Sequence, residues 1–562
     1  MAGGYTIDQS KLLNRWGALK TERASWFAMW KDLSTYLLPY QGRFFVQDRN
    51  RGSNRANQIY DSTGTYALRI LGAGMMAGAT SPARPWFRLA VPDPDLNSYH
   101  SVRVWLDDVA GLMRAVFQRS NTYRALHSIY EELGSFGTGA SIVMPDYNTV
   151  VHHFGLTAGE YAIATSYRGE VDTIFREFDL PVKNVVREFG KDNCSTAVQN
   201  LYNQGNLDAW VPIIHAIEPR ADRDTTKKDG RNMPWASYYI EGQGDGHTFL
   251  REGGFNRFPA LVPRWAVAGG DIYGHSPAME ALGDIKQLQH EQKRKAQGID
   301  YQTLPPLQVP ASMKNGMVDI LPGGVSYYDG SSPQGGVKNL FEVNLDLNHL
   351  LADIQDVRQR IRQAFFADLF LMLANATDTR MTATEVAERH EEKLLMLGPV
   401  LERLHNELLS PLIEITFDRI LSSGILPPPP DELRGMEITV EFISMLAQAQ
   451  RAIGANSVDR WVGSLGAVAA YKPDVLDKFD SDYWAESYAD MLGVDPKNIV
   501  PDSKVAIVRQ DRAQQAAQAQ QTALAEQQSK AVKNLATSPT DGGRSSVIDM
   551  FSGYNTPGQG AV

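Results

Sequence analysis

The sequence predicts a mixed α+β chain that is mainly α-helical, and three observations lead there. Leu394, Leu397, Leu401, Leu404, Leu408, Leu412 and Ile415 recur at alternating spacings of three and four, the period of one helix face. Ser276 followed by Pro277 sets an abrupt helix start, because the hydroxyl accepts from free first-turn amides and the proline presets φ. Runs such as Val-Asp-Thr-Ile-Phe-Arg-Glu-Phe at 171–178 have instead the β-branched and aromatic content of strands.

In chain order, the first element is an aromatic helix. Trp16, Trp26, Phe27, Met29, Trp30, Leu33, Tyr36 and Leu37 fall at helical spacings until Pro39 stops the run. Arg43, Arg49, Arg51 and Arg55 lie in a polar stretch that reads as a solvated loop in preference to a contact with nucleic acid or a neighbouring subunit. Residues 66–82 are rich in Gly and Ala, carry Arg69 and are too short to cross a bilayer, so a buried helix is expected. A helical stretch from 102 to 133 and strands between 141 and 179 follow. Within these, Tyr161-Ala-Ile-Ala-Thr-Ser-Tyr and the 171–178 run form a hairpin through Arg168-Gly169-Glu170. Strands at 211–218 and 237–241 precede the helix that Ser276 caps.

That helix runs to about Gly298. Met279, Leu282, Ile285 and Leu288 make a narrow apolar stripe, after which Gln, Lys and Arg take over, so it packs along a thin seam. Pro305, Pro306, Pro310, Pro322 and two Gly-Gly pairs then dictate turns and short strands. A second helix, 346 to about 373, sets Val357, Ile361, Phe365, Phe366, Leu369 and Phe370 on one side and Arg358, Arg360 and Arg362 around the rest. Thr382-Ala383-Thr384-Glu385 matches a capping box, and the leucine-rich helix it opens is expected to kink at Pro399 and Pro411. The four prolines at 427–430 mark a boundary, and apolar helices such as 458–470 resume after it. Residues 505–536 are Gln- and Ala-rich with almost no apolar face, stable only by bundling or as an exposed helix, and 537–562 read as a flexible tail.

The bulk numbers narrow the function. With 562 residues, 43% hydrophobic and 21% charged, the chain has material for several packed regions. Its single cysteine, Cys194, excludes an intrachain disulfide and reads as a buried, inert thiol in a chain assembled in a reducing compartment. The first residues lack the basic start and apolar core of a signal peptide. A net charge of −10 disfavours tight nonspecific capture of DNA, which depends on Lys and Arg neutralising phosphates.

Catalytic patterns are missing. The sequence offers neither a Gly-rich phosphate loop ending in Lys-Ser/Thr nor a Gly-x-Ser-x-Gly elbow. His152 and His153 point to opposite faces of a strand, and His390-Glu391-Glu392 lacks the second histidine of a zinc protease. Asp107-Asp108 and Glu131-Glu132 read as helix-surface charge. No catalytic site, metal or cofactor is expected.

Four collinear blocks carry a family resemblance. They are Asn57-Gln-Ile-Tyr-Asp-Ser-Thr-Gly with its small-residue helix and Pro85-Trp86-Phe87; the strand at 171–178 with Val186-Arg187-Glu188-Phe189-Gly190; Arg264-Trp265, Tyr273-Gly274-His275-Ser276-Pro277 and Leu304-Pro305-Pro306-Leu307; and Arg380-Met-Thr-Ala-Thr-Glu-Val386. Together, over residues 10–430, the chain resembles the head-to-tail connector, or portal, proteins of short-tailed, T7-like bacteriophages. The resemblance implies a portal fold assembled as a ring, a homododecamer. Its wing is 1–274, its stem helices 275–299 and 345–373 enclose a small β-containing clip at 300–344, and a tunnel loop at 374–381 leads to a long wing helix at 382–426. A helical crown at 427–504, the 505–536 helix as a possible barrel, and the tail complete it.

It also implies a non-enzymatic conduit at one capsid vertex, in the virion and, during assembly, in the host cytoplasm. Double-stranded DNA passes through it without sequence preference, and its partners are the major capsid protein, terminase and tail adaptor or nozzle proteins, with no membrane. The DNA-channel candidates are Lys286, Lys293, Arg294, Lys295, Arg358 and Arg362, and the tunnel-loop candidates are Asn375, Thr377, Asp378, Thr379 and Arg380. The rival readings are another ring-forming virion or tail adaptor protein and a packaging-associated nuclease.

Overall fold

The computed structural model describes residues 9–44, 56–93, 99–227, 229–242, 249–303, 307–308, 338–339, 347–375, 397–433, 438–443, 461–469, 471–485, 500 and 502–537. The chain forms two compact units, one of Met1–Asn97 with Trp105–Phe479 and one of Ser98–Val104 with Asp480–Val562. As expected, it is mixed α+β and mainly helical.

Helix α1 (Gln9–Tyr36) is followed by α2 (Thr63–Ala79) and strand β1 (Phe87–Ala90). The helical stretch expected at 102–133 is built of two helices, α3 (His100–Arg119) and α4 (Thr122–Phe136). Polar side chains at the junction engage groups outside the helix: Asn121 exchanges two hydrogen bonds with the His153 backbone, and the Ser120 hydroxyl meets that of Thr122.

Strands β2 (Ala140–Asp146) and β3 (Val150–Leu156) pair antiparallel. A five-stranded antiparallel sheet then forms in sequence order from β4 (Tyr161–Thr165), β5 (Val171–Pro181), β6 (Trp210–Pro219), β7 (Trp235–Glu241) and β8 (Arg251–Phe255). Helices α5 (Val182–Phe189) and α6 (Thr196–Asn203) lie between β5 and β6, and β9 (Ala260–Leu261) adds to β2.

The pleat of the large sheet separates two cores. Ile214, Ala216, Tyr238 and Ile240 pack with Leu12, Trp16 and Leu19 of α1. The alternate residues Ile213 and Tyr239 pack with Val182, Val185, Phe189, Cys194 and Val198. Cys194 is buried there as expected; burial pushes its pKa up to about 11, so it stays a thiol.

Ser276 caps a helical turn, α7 (Pro277–Glu280), through its hydroxyl to the Met279 amide at 3.1 Å, and α8 (Leu282–Thr303) continues from it. Two-residue strands β10 (Leu307–Gln308) and β11 (Lys338–Asn339) pair antiparallel. The expected second long helix is α9 (Leu347–Ala364) and α10 (Ala367–Asn375), separated at Phe366, whose φ of 54° ends the regular helix. The capping box at 382–385 and His390 lie outside the described residues.

From 397 the leucine-rich stretch is helical. The deviation forced by Pro411 is a π-helical turn, His405–Leu409, before α11 (Ser410–Ser423). Pro411 has no N–H for the carbonyl four residues back, so the ladder changes register there. Strand β12 (Thr439–Phe442) pairs with β1 beyond the proline boundary, and α12 (Asp502–Thr537) is a 36-residue helix in the second unit.

Candidate functional site

The two long helices α8 and α9 are tied to the N-terminal region through one carboxylate. Asp61 is buried just before α2, where its Oδ1 accepts from the Thr63 amide (2.8 Å) and hydroxyl (2.5 Å). Its Oδ2 accepts from Arg358 Nη2 (2.7 Å) and Nε (3.1 Å) on α9, and from Gln292 Nε2 (3.1 Å) on α8. Gln289, also buried, closes the joint: its Oε1 accepts from the amides of Tyr60 and Asp61, and its Nε2 donates to the Asp61 carbonyl at 2.8 Å. Burial raises the Asp61 pKa, but the hydrogen bonds from Thr63 and Arg358 outweigh it and hold the group below the usual carboxylate range.

The helix pair is antiparallel, since Arg360 meets Asp284 at 3.2 Å while Asp353 lies beside Glu291 farther along. Burial and the Asp353 neighbour raise the Glu291 pKa.

The six channel candidates divide into anchored and free cations. Arg358 belongs to the Asp61 joint. Lys286 pairs with Asp32 at 2.6 Å and lies over the Tyr36 ring. Lys293 is exposed over Tyr60 at 6.0 Å. Arg294 and Arg362 are exposed, Lys295 is half-buried, and among the described residues none of the three forms an ion pair. Asn375 ends α10; Thr377, Asp378, Thr379 and Arg380 lie outside the described residues.

The motif residues 264–277 form the junction that holds α8 in place. Arg264, 3% exposed, grips Glu407 of the π-helical turn with Nη2 at 2.7 Å and Nε at 3.3 Å, while its Nη2 also donates to the Gly169 carbonyl. Tyr273 packs edge-on against Trp30, and its hydroxyl accepts from the Ile163 amide. Gly274 passes so close to Gly137 that a Cβ there would sit 2.2 Å from the Gly137 carbonyl oxygen, which explains the glycine. Ser276 also donates to the Ser135 carbonyl at 2.7 Å.

One expectation is corrected. Glu132, read as helix-surface charge, is 2% exposed. The α4 face carrying it turns inward beneath the β3–β4 turn, where Thr157 Oγ1 donates to it at 2.7 Å and the Ala158 amide at 3.2 Å. Burial pushes its pKa up to about 8. His153 is buried, with its Nε2 at 3.0 Å from the Thr122 hydroxyl; burial holds it neutral, with a pKa of about 4. His152 packs on Phe154 of its own strand, so the two histidines diverge as the strand period requires.

Sequence reasoning missed Asp61, Gln289 and Glu407 as organising residues. The signal for Asp61 was present in Asp-Ser-Thr before a small-residue helix, a start-of-helix signature, but its partners on α8 and α9 are more than 200 positions away. Among the described residues, no group of three or more His, Cys, Asp or Glu could hold a metal, and no helix is long and apolar enough to cross a membrane.

Residues 9–500 match the family described as bacteriophage head to tail connecting protein. The chain is 61% identical over 549 residues to a "Probable portal protein" of Bordetella phage BPP-1, covering 97% of this chain and 99% of that one. It is 46% identical over 534 residues to the "Portal protein" of Salmonella phage epsilon15, covering 95% and 96%. Among solved structures, a chain of the virion of a native gene transfer agent particle overlaps 79% of this chain and 95% of its own, at 12% identity and a TM-score of 0.34.

Proposed function

The chain belongs to the bacteriophage head to tail connecting proteins, and from that premise we propose how it works as a portal. Copies close into a ring, a homododecamer, at one capsid vertex; double-stranded DNA enters through the bore during packaging and leaves during ejection. The surrounding major capsid protein, terminase and the tail adaptor or nozzle proteins are its partners, and the host cytoplasm is where the ring assembles. The protein does no chemistry of its own. The observation that carries this reading is the near full-length identity to two portal proteins.

The physical logic is that a conduit must hold its shape while touching DNA weakly and without regard to sequence. In this reading α8 and α9 form the stem, with Arg358 and Lys286 consumed by anchoring it. Lys293, Arg294, Lys295 and Arg362 remain to meet phosphates, and each lost contact lowers the salt dependence of binding by about one unit. Asn375, Thr377, Asp378, Thr379 and Arg380 are the proposed tunnel loop.

Negative-stain class averages of the purified protein test the ring, and particles with a central hole are the expected result. A persistent monomer or dimer across salt concentrations sinks the reading. Arg362→Glu then tests the conduit: rings should form as before while DNA packaging or retention falls, and unchanged packaging removes Arg362 from the DNA path. Reversing Arg358 is a poor test, because it breaks the Asp61 joint.

A further inference from the structure

Between α1 and the large sheet lies a cleft of about 510 Å³, within the range of roughly 300–1,000 Å³ that ligand sites occupy. Arg23 lies in its wall and is 5% exposed. One guanidinium nitrogen, Nη1, donates to the Tyr161 carbonyl, and the group lies over the rings of Trp16 and Phe27, 5.4 and 4.8 Å from their centroids. Its Nε is buried with no acceptor, and among the described residues Arg23 forms no ion pair.

The neighbouring charges of the cleft do not pair with Arg23. Arg43 is occupied by Glu160 at 3.3 Å, and Lys20 lies over Trp16. Glu177 attracts Arg23 only from a distance, and burial pushes the Arg23 pKa down. Buried charges in folded proteins are ordinarily paired, and stacking on two rings replaces only part of a carboxylate's contribution.

We propose that Arg23 receives a carboxylate from a second copy of this chain, so that the cleft is a socket filled when neighbours join in the ring. The proposal rests on the portal reading. Ring closure brings unlike surfaces of neighbouring copies together, so a socket on one face meets a different element of the next. A nucleic-acid backbone is the poorer occupant, because Glu160, Glu177 and Asp179 are interspersed with Lys20, Arg23 and Arg43 and the cleft offers a polyanion no continuous positive surface. A protein segment bearing one acid and a nearby base satisfies both walls: the acid meets Arg23 and the base meets Glu177.

Arg23→Met in the full chain separates this socket from a merely structural arginine. The variant subunit, dissociated, should melt at or a few degrees above wild type, since an unpaired buried charge has been removed. Its rings should need at least about thirtyfold more protein to assemble in sedimentation. Arg23→Lys should recover part of the assembly, and a cryo-EM map of wild-type rings should place a neighbour's carboxylate within ion-pair distance of Arg23. A variant that melts lower and assembles only as poorly as that loss explains overturns the proposal. So does normal ring assembly by Arg23→Met, or stabilisation of the isolated subunit by acetate with no neighbouring carboxylate in the map. Wild type that forms no rings fails the portal reading itself, a result visible before any variant is made.

Discussion

Glu132 keeps its proton near neutrality because burial beneath the β3–β4 turn disfavours the carboxylate by more than the Thr157 and Ala158 donors favour it. Its pKa rises from 4.5 to about 8 on folding, so folding takes up a proton between those values. Its contribution is fully present below about pH 4.5 and is lost as pH rises through 8. Glu132→Gln should therefore flatten the alkaline decline and exceed wild type at pH 9 by on the order of a few kcal/mol. Urea titrations of the dissociated subunit across pH check it, and parallel curves for the two proteins refute it. Asp61 has the opposite sign: its pKa is lowered, so its stabilisation is present above the usual carboxylate range and is lost as pH falls through the lowered value. Asp61→Asn should cost about 3 kcal/mol at pH 7 by stranding Arg358, and should shrink the acid limb of unfolding. These two residues show where the sequence is silent. Glu131-Glu132 looks like ordinary surface charge because burial on α4 is decided by a turn 25 residues later, and no local pattern encodes that.

Helix α2 was legible from its small residues, but the reason for them is visible only in the packing. A Cβ added at Gly74 would lie 2.3 Å from the Phe370 ring of α10, whereas one at Gly17, inside α1, meets nothing within 4 Å. Helix propensity alone favours alanine at both sites by up to about 1 kcal/mol. Gly17→Ala should follow it and stabilise, while Gly74→Ala should destabilise by about 1–3 kcal/mol through overpacking. Paired thermal melts decide, and equal shifts would mean that α10 yields freely. Periodicity located the long helices and the β4–β5 hairpin because their apolar faces are local facts, but it marked neither α5 nor α6, two eight-residue helices between β5 and β6. It joined α9 to α10 because Phe366 breaks that run through a backbone turn that no residue preference announces, and it left the break between α3 and α4 unmarked because Asn121 makes it through bonds to a distant strand. Pro411, by contrast, was readable, and the π-helical turn before it aims Glu407 at Arg264.

In the whole molecule, the second unit carries a helix of a different character from the rest. α12 spans about 54 Å at the usual rise and is exposed along nearly all its described length, with Arg509 held to Asp482 at 2.6 Å. An unpacked helix of this kind opens by local unfolding, so its amides in the dissociated subunit should exchange hydrogen orders of magnitude faster than those of the large sheet. Hydrogen exchange read by mass spectrometry tests this, and sheet-like protection would mean that α12 is packed in the free subunit. The candidate conduit was only half legible at this scale: the cations on α8 and α9 could be listed from sequence, but which are spent on anchoring depends on contacts across the whole chain. That dependence has a consequence for biosynthesis. Asp61 and Arg358 are 297 positions apart, and at synthesis rates of about 5–20 residues per second roughly 15–60 seconds separate their appearance from the ribosome. Until then Asp61 has its α8 partners Gln289 and Gln292 but not Arg358 of α9, so a nascent or truncated subunit holds a carboxylate joint that only the later helix completes.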